Sequence, residues 1–126
     1  MSGWGVLAVG SGAALGAWLR WFLGMWFNPL HATLPLGTLF ANLGGGYMIG
    51  LCVGFFAGTP QLSPEWRLFL VTGFLGGLTT FSSFSAEAMG LLQKGDWAWA
   101  LMHSGLHLLG SILFCFLGFA TWRVFH

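Results

Sequence analysis

The residues with the most chemical potential in this chain lie inside long apolar runs. His103, His107, Ser111 and Cys115 recur every four residues, with Ser104 beside them, which sets them along one helix face. Thr38 and Asn42 follow the same interval, and Gly46, Gly50, Gly54 and Gly58 continue the stripe. A third segment reads Gly73-Phe74-Leu75-Gly76-Gly77-Leu78-Thr79-Thr80-Phe81-Ser82-Ser83-Phe84-Ser85, and Glu87 follows it. Hydroxyls, an amide and imidazoles offer hydrogen bonds without fixed charge. Such a lining favours passage of an ion over tight retention, because a pathway rich in charge holds its ion too long. No nucleophile stands with a base and an orienter, there is no carboxylate pair, and Gly10-Ser11-Gly12 opens no strand-helix unit, so no enzyme follows. His103 and His107 have a metal-ligand spacing, but two ligands do not make a site. The nearest intramembrane carboxylate, Glu87, is on another segment, so a hydrogen-bonding track or a structural histidine pair is the better expectation.

The elements that must position these groups follow from composition. Of 126 residues, 56% are hydrophobic and 6% charged, against about a quarter charged in an ordinary soluble domain. Four basic and three acidic side chains cannot coat a soluble globule of this size. The 21 glycines sit among Leu, Phe, Trp and Ala, which excludes disordered and collagen-like chains. An integral membrane protein remains. Turn chemistry at Asn28-Pro29-Leu30-His31 with Pro35, at residues 58–64, and at Gln93-Lys94-Gly95-Asp96 divides the chain into spans of about 4–27, 36–57, 65–92 and 97–123. The expectation is one all-α transmembrane domain, 1–126, of four helices. Trp4, Trp26, Trp66, Trp97, Trp99 and Trp122 fall near the span ends, as interfacial anchors do. The N-terminus has no basic region or clear cleavage site and reads as a retained span. Cys52 and Cys115 lie in apolar stretches and read as reduced packing residues. A net charge of +1 implies no nucleic-acid partner.

The few charges also bear on orientation. Arg67 and Arg123 flank one side, with Lys94 on the other and Arg20 deeper in the first span. That distribution gives insertion little directional bias. Copies of opposite orientation would pair about a two-fold axis in the membrane plane, making from two chains the inverted repeat that larger transporters carry in one.

Within the spans, the glycine stripe reads as a packing seam, since small residues let backbones approach closely in lipid. Asn42 must find a partner across that seam or line a wet cavity. The paired glycines, threonines and serines of the third span predict a helix broken at mid-membrane, a kinked but continuous helix being the alternative. Arg20 and Glu87 default to functional roles, though either could snorkel to an interface.

Three stretches carry a family resemblance: Gly10-Ser11-Gly12-Ala13-Ala14-Leu15-Gly16-Ala17-Trp18-Leu19-Arg20-Trp21, then Gly37-Thr38-Leu39-Phe40-Ala41-Asn42-Leu43-Gly44, and the specific motif of residues 73–85. In order and spacing the chain resembles the Fluc (CrcB) fluoride channels over its whole length. The resemblance implies a bacterial inner-membrane, multi-pass fluoride exporter that relieves fluoride toxicity, built as an antiparallel dual-topology homodimer with two pores. It implies that Phe81 and Phe84 present ring edges to the dehydrating anion, that Asn42 is the pore amide, that Ser82 and Ser83 are hydroxyls near the helix break, and that Thr38 is a vestibule neighbour. It further implies that the carbonyls of Gly76 and Thr79 from both copies hold a structural sodium ion, with Arg20 at the vestibule and Glu87 near the outer end of the pathway. The family's fourth-span polar track usually shows Tyr or Asn and Ser where this chain has His103, His107 and Ser111.

Two other functions fit parts of the pattern. A four-span proton-coupled multidrug antiporter matches the length and charge balance but needs a buried acidic residue in the first span, where none stands. A non-transporting assembly subunit accounts for the glycine seam and not for the third-span motif.

Overall fold

A computed structural model describes residues 2–126. Four of its helices are long and apolar enough to cross a membrane, Gly3–Leu30, Leu36–Ala57, Pro64–Gln93 and Trp97–Phe125, and no strand occurs among the described residues. Helix α1 spans Gly3–Phe27 and starts where the Ser2 hydroxyl accepts the Gly5 N–H at 3.0 Å. Its end tightens into a 3-10 turn over Asn28–Leu30, where Pro29 has no N–H to continue the α-helical bonding. Helix α2 spans Leu36–Ala57 behind the extended Pro35. At a rise of about 1.5 Å per residue it covers about 33 Å, close to the hydrocarbon thickness of a bilayer.

The third segment is irregular. We label residues 64–78 α3; it opens as α-helix at Pro64–Arg67, widens to π-helix over Leu68–Leu75 and closes with Gly76–Leu78. Thr79 (φ −86°, ψ 155°) and Thr80 (φ −150°, ψ 120°) are then extended before α4, Phe81–Gln93, begins. Thr80 caps α4 by accepting the Ser83 N–H at 3.0 Å. A short turn follows, where Gly95 (φ 78°) takes the left-handed conformation open to glycine, and α5 runs from Trp97 to Phe125.

Glycine decides how these helices approach. Helix α2 lies along α5, and a Cβ on Gly46 would come within 2.9 Å of the Ser111 carbonyl oxygen. Gly50 and Gly118 meet the backbones at Cys115 and Tyr47 even more closely. Tyr47 Oη donates to Thr121 Oγ1 at 2.9 Å across the same seam. Gly58 lies beyond it, exposed at the end of α2, so the stripe expected from spacing ends functionally at Gly54. On the other side α1 packs against the π-helical part of α3, where a Cβ on Gly73 would fall 2.8 Å from the Val9 carbonyl oxygen. The wider π winding accompanies this backbone-to-backbone contact.

The buried apolar core is small, centred on Ala41, Leu75 and Leu78, while long rows of Leu, Phe and Trp face outward. Lipid is the solvent for those rows. Trp4, Trp26, Trp66, Trp97 and Trp99 are exposed as anchors would be. Trp122 instead packs against Gly54 and meets the Phe55 ring edge-on at 5.6 Å. Cys52 and Cys115 are unpaired thiols, both half-buried.

Candidate functional site

The extended backbone at Thr79–Thr80 creates the site. Two residues that leave the helix free polar groups that a helix would satisfy, and in an apolar setting these need other partners. Asn42 on α2 supplies them for Thr80: its Oδ1 accepts the Thr80 N–H at 2.7 Å and its Nδ2 donates to the Thr80 carbonyl at 3.0 Å. The same Nδ2 lies 2.9 Å from His107 Nδ1 on α5. One buried amide thus joins three elements. The Thr79 hydroxyl donates back to the Leu75 carbonyl at 2.8 Å, a local bond that helps α3 end there.

Rings surround this junction. His107 stacks on Phe84 at 4.9 Å between centroids, with 28° between planes, and His103 lies 4.5 Å from His107. Phe81 meets Phe84 edge-on at 5.3 Å. His103 and His107 are only 2% and 4% exposed, whereas Phe81 is 77% exposed on the open side. There an open groove of about 410 Å³ is lined by Asn42, Thr80, Phe81, Phe84, His107 and Ser111, among others. Its walls are mainly apolar, with a few polar groups converging, the usual character of a binding or conduction site.

A second polar cluster adjoins the first. Thr38 Oγ1 donates to Glu87 Oε2 at 2.7 Å, and Glu87 Oε1 lies 3.3 Å from His103 Nε2. That separation is within ion-pair reach, but its angles do not make a hydrogen bond. Glu87 Oε1, His103 Nε2 and His107 Nε2 are buried atoms without a hydrogen-bond partner among the described residues. Ligand atoms of Glu87, His103 and His107 all fall within 4.8 Å of one another. The fold therefore carries the carboxylate of α4 to the histidine pair of α5, which sequence separation had left apart.

The remaining expected residues are placed as follows. Thr38, Asn42, Phe81, Phe84, Glu87, His103, His107 and Ser111 come together in or beside the groove. Gly76 and Thr79 line its wall. Ser82 is exposed, its Oγ 3.4 Å from Thr80 Oγ1, and Ser83 contributes its N–H to the Thr80 cap; neither lines the groove. Arg20 lies on the other side of α3, where its Nε donates to the Gly77 carbonyl at 3.1 Å. Thr80 was not singled out from sequence as a site residue, although its backbone is the partner of Asn42. Its signal lies in residue type and place: a threonine, a favoured helix N-cap, stands between Gly76-Gly77-Leu78-Thr79 and the run that begins at Phe81.

Comparison with known proteins gives one consistent answer. The sequence profile of the family described as "CrcB-like protein, Camphor Resistance (CrcB)" matches residues 7–119. The "Fluoride-specific ion channel FluC" of Cupriavidus pinatubonensis is 61% identical over 120 residues, 95% of each chain. That of Pseudomonas putida is 59% identical over 116 residues, 92% of this chain and 91% of its own. The protein of the same name from Cupriavidus metallidurans is 56% identical over 119 residues, 94% of each chain. These relatives are named as channels and not as enzymes, and four membrane-crossing helices accord with that. With a match that runs from the first helix into the last and takes in both the Asn42 stripe and the interrupted third segment, this multi-pass membrane chain belongs to the CrcB family.

Proposed function

We propose that the protein is a passive, fluoride-selective ion channel. The observation that carries this reading is the groove joining Asn42, Phe81, Phe84, His107 and Ser111, in a chain 61% identical to a protein named as a fluoride-specific channel. Fluoride is small and strongly hydrated, so it crosses only where successive donors replace its water without a deep well. His107 and Ser111 face the groove as such donors. Asn42 spends its amide hydrogens on Thr80 and His107 and so orients the latter, and His103 with the hydroxyls of Thr38, Ser82 and Ser83 stands beside the path. The edges of Phe81 and Phe84 carry the positive side of the ring quadrupole and add weak, adaptable contacts. Glu87 sits at one end of this path, and Arg20 acts from the vestibule. A negative-inside potential drives an anion outward by about 2.3 kcal/mol per 100 mV, so export needs no coupled energy source. The host membrane in this reading is a bacterial inner membrane, and the benefit is relief of fluoride toxicity.

The active unit in this reading is an antiparallel, dual-topology homodimer in lipid, with two pores. Balanced flanking charges favour insertion both ways. The open side of the groove, with Phe81 77% exposed, suits closure by a second copy. Thr79–Thr80 then forms a break at mid-membrane.

A structural sodium ion fits the same break. The helical donor for the Gly76 carbonyl would be the Thr80 N–H, which is directed to Asn42. The helical donor for the Thr79 carbonyl would be the Ser83 N–H, which is directed to the Thr80 hydroxyl. Both carbonyl oxygens are thereby released from their helical partners, and hard oxygen donors suit a hard cation. Gly76 and Thr79 of two copies would hold the ion at the dimer axis, where it supplies charge that ties the copies together.

A fluoride-sensitive bacterium lacking its own exporter tests the function. Expression of this chain should restore growth in fluoride medium. Unchanged sensitivity with the protein present in the membrane would contradict the reading.

A further inference from the structure

Asn42 is fixed on two sides. Its Oδ1 takes the Thr80 N–H at 2.7 Å while its Nδ2 gives a hydrogen to the Thr80 carbonyl at 3.0 Å. A backbone N–H only donates and a carbonyl only accepts, so turning the amide over would set donor against donor and acceptor against acceptor. The Thr80 backbone therefore determines which way Asn42 faces. The second hydrogen of Nδ2 then points to the remaining neighbour, His107 Nδ1, at 2.9 Å. A ring nitrogen that receives a hydrogen carries none of its own, and a neutral imidazole keeps its single proton on the other nitrogen. We propose that Asn42 is a positioning residue that holds His107 as the Nε2–H tautomer, making the ring a neutral donor to a small anion and closing the Glu87–His103–His107 cluster to divalent metal ions.

The surroundings of Nε2 agree with both halves. It is a buried atom with no hydrogen-bond partner among the described residues, on a ring stacked against Phe84. A buried N–H without an acceptor is costly, and an anion in the adjoining groove would supply the acceptor. The identity of that anion as fluoride rests on the function proposed above; the tautomer rests on the hydrogen bonds alone. For metals the logic reverses. Ligand atoms of Glu87, His103 and His107 lie within 4.8 Å of one another, and two histidines with one carboxylate are a known open zinc set. A histidine ligand must offer a bare nitrogen. At His107 the proton occupies Nε2 and the Asn42 amide occupies Nδ1, so no lone pair is left while Asn42 stays in place.

The test is nitrogen NMR of the full, untagged chain in lipid nanodiscs with 15N-histidine, the His107 signals being assigned by their loss in His107→Gln. At neutral pH the wild type should show a protonated Nε2 and a bare Nδ1. Sodium fluoride should shift the Nε2 signal, and sodium chloride should not. In Asn42→Ala part of the proton population should move to Nδ1, and Co2+ absorption bands absent from the wild type should appear. A wild-type His107 protonated at Nδ1 or at both nitrogens overturns the proposal without any variant. So does an unchanged tautomer in Asn42→Ala, a wild-type Co2+ site removed by His107→Gln, or a Nε2 signal indifferent to fluoride. If the tautomer and the fluoride shift are found but vesicles pass no fluoride, the channel reading fails while the positioning role of Asn42 stands.

Discussion

Asn42 and Thr80 exchange two hydrogen bonds, 2.7 Å from the Thr80 N–H to Oδ1 and 3.0 Å from Nδ2 to the Thr80 carbonyl. A side-chain amide on one helix thereby takes the place of the backbone partners that Thr80 gives up by being extended. The relationship explains why an amide is tolerated in an apolar helix and why the third segment can leave helical geometry there.

Asn42→Ala should both destabilise the protein and block transport. Two part-buried backbone groups lose their partners, at a cost of about 1–3 kcal/mol each where no water replaces them. Thermal unfolding in detergent should shift downward, and fluoride flux should fall by at least about tenfold, equivalent to about 1.4 kcal/mol on the barrier. Wild-type flux in a folded Asn42→Ala protein would remove Asn42 from the pathway.

Phe81→Ile and Phe84→Leu keep apolar bulk and remove the ring edge. Flux should drop strongly in each, with the elution volume on size-exclusion chromatography unchanged from the wild type. Phe84→Leu should also loosen His107, which loses its stacking partner at 4.9 Å. Undiminished flux in both variants would show that ring edges do not contact the anion.

Gly50→Ala should damage the fold. Its Cβ would run into the Cys115 carbonyl and the Phe119 amide, and backbone cannot move aside as a flexible side chain does. Overpacking of this kind costs about 1–3 kcal/mol. Gly10→Ala, which meets nothing within 4 Å, should behave as wild type in the same melting assay.

Reporter fusions at the C-terminus address orientation. A periplasm-active and a cytoplasm-active reporter should both give signal, because the flanking Arg and Lys residues are nearly balanced. Adding three lysines to the 58–63 turn should bias the population to one side and reduce flux, since opposed copies become scarce. Signal from one reporter alone in the unmodified chain would contradict dual insertion.

Much of this is legible in the sequence. Sparse charge and apolar runs gave four membrane-crossing helices, because hydrophobic length is a strong local signal. The seam of Gly46, Gly50 and Gly54 was equally visible from spacing. Contacts between segments were not. Glu87 lies on α4 and His103 on α5, and no local pattern states that their side chains come within 3.3 Å. Thr80 is half legible: its hydroxyl reads as the cap of α4, whereas its backbone pair with Asn42 has no side-chain signature. Arg20 was readable as a functional charge, yet it serves the Gly77 carbonyl across the α1–α3 contact, a partner without a side-chain signature. Gly58 followed the four-residue spacing and fell outside the seam because α2 ends at Ala57.

The central claim is tested most directly by fluoride efflux from liposomes containing the purified protein, read by a fluoride electrode under a valinomycin-clamped potassium gradient. The account predicts rapid, potential-driven fluoride efflux and negligible chloride efflux from parallel vesicles. Fluoride retention with correctly assembled protein in the bilayer, or chloride leaving as fast as fluoride, would contradict it.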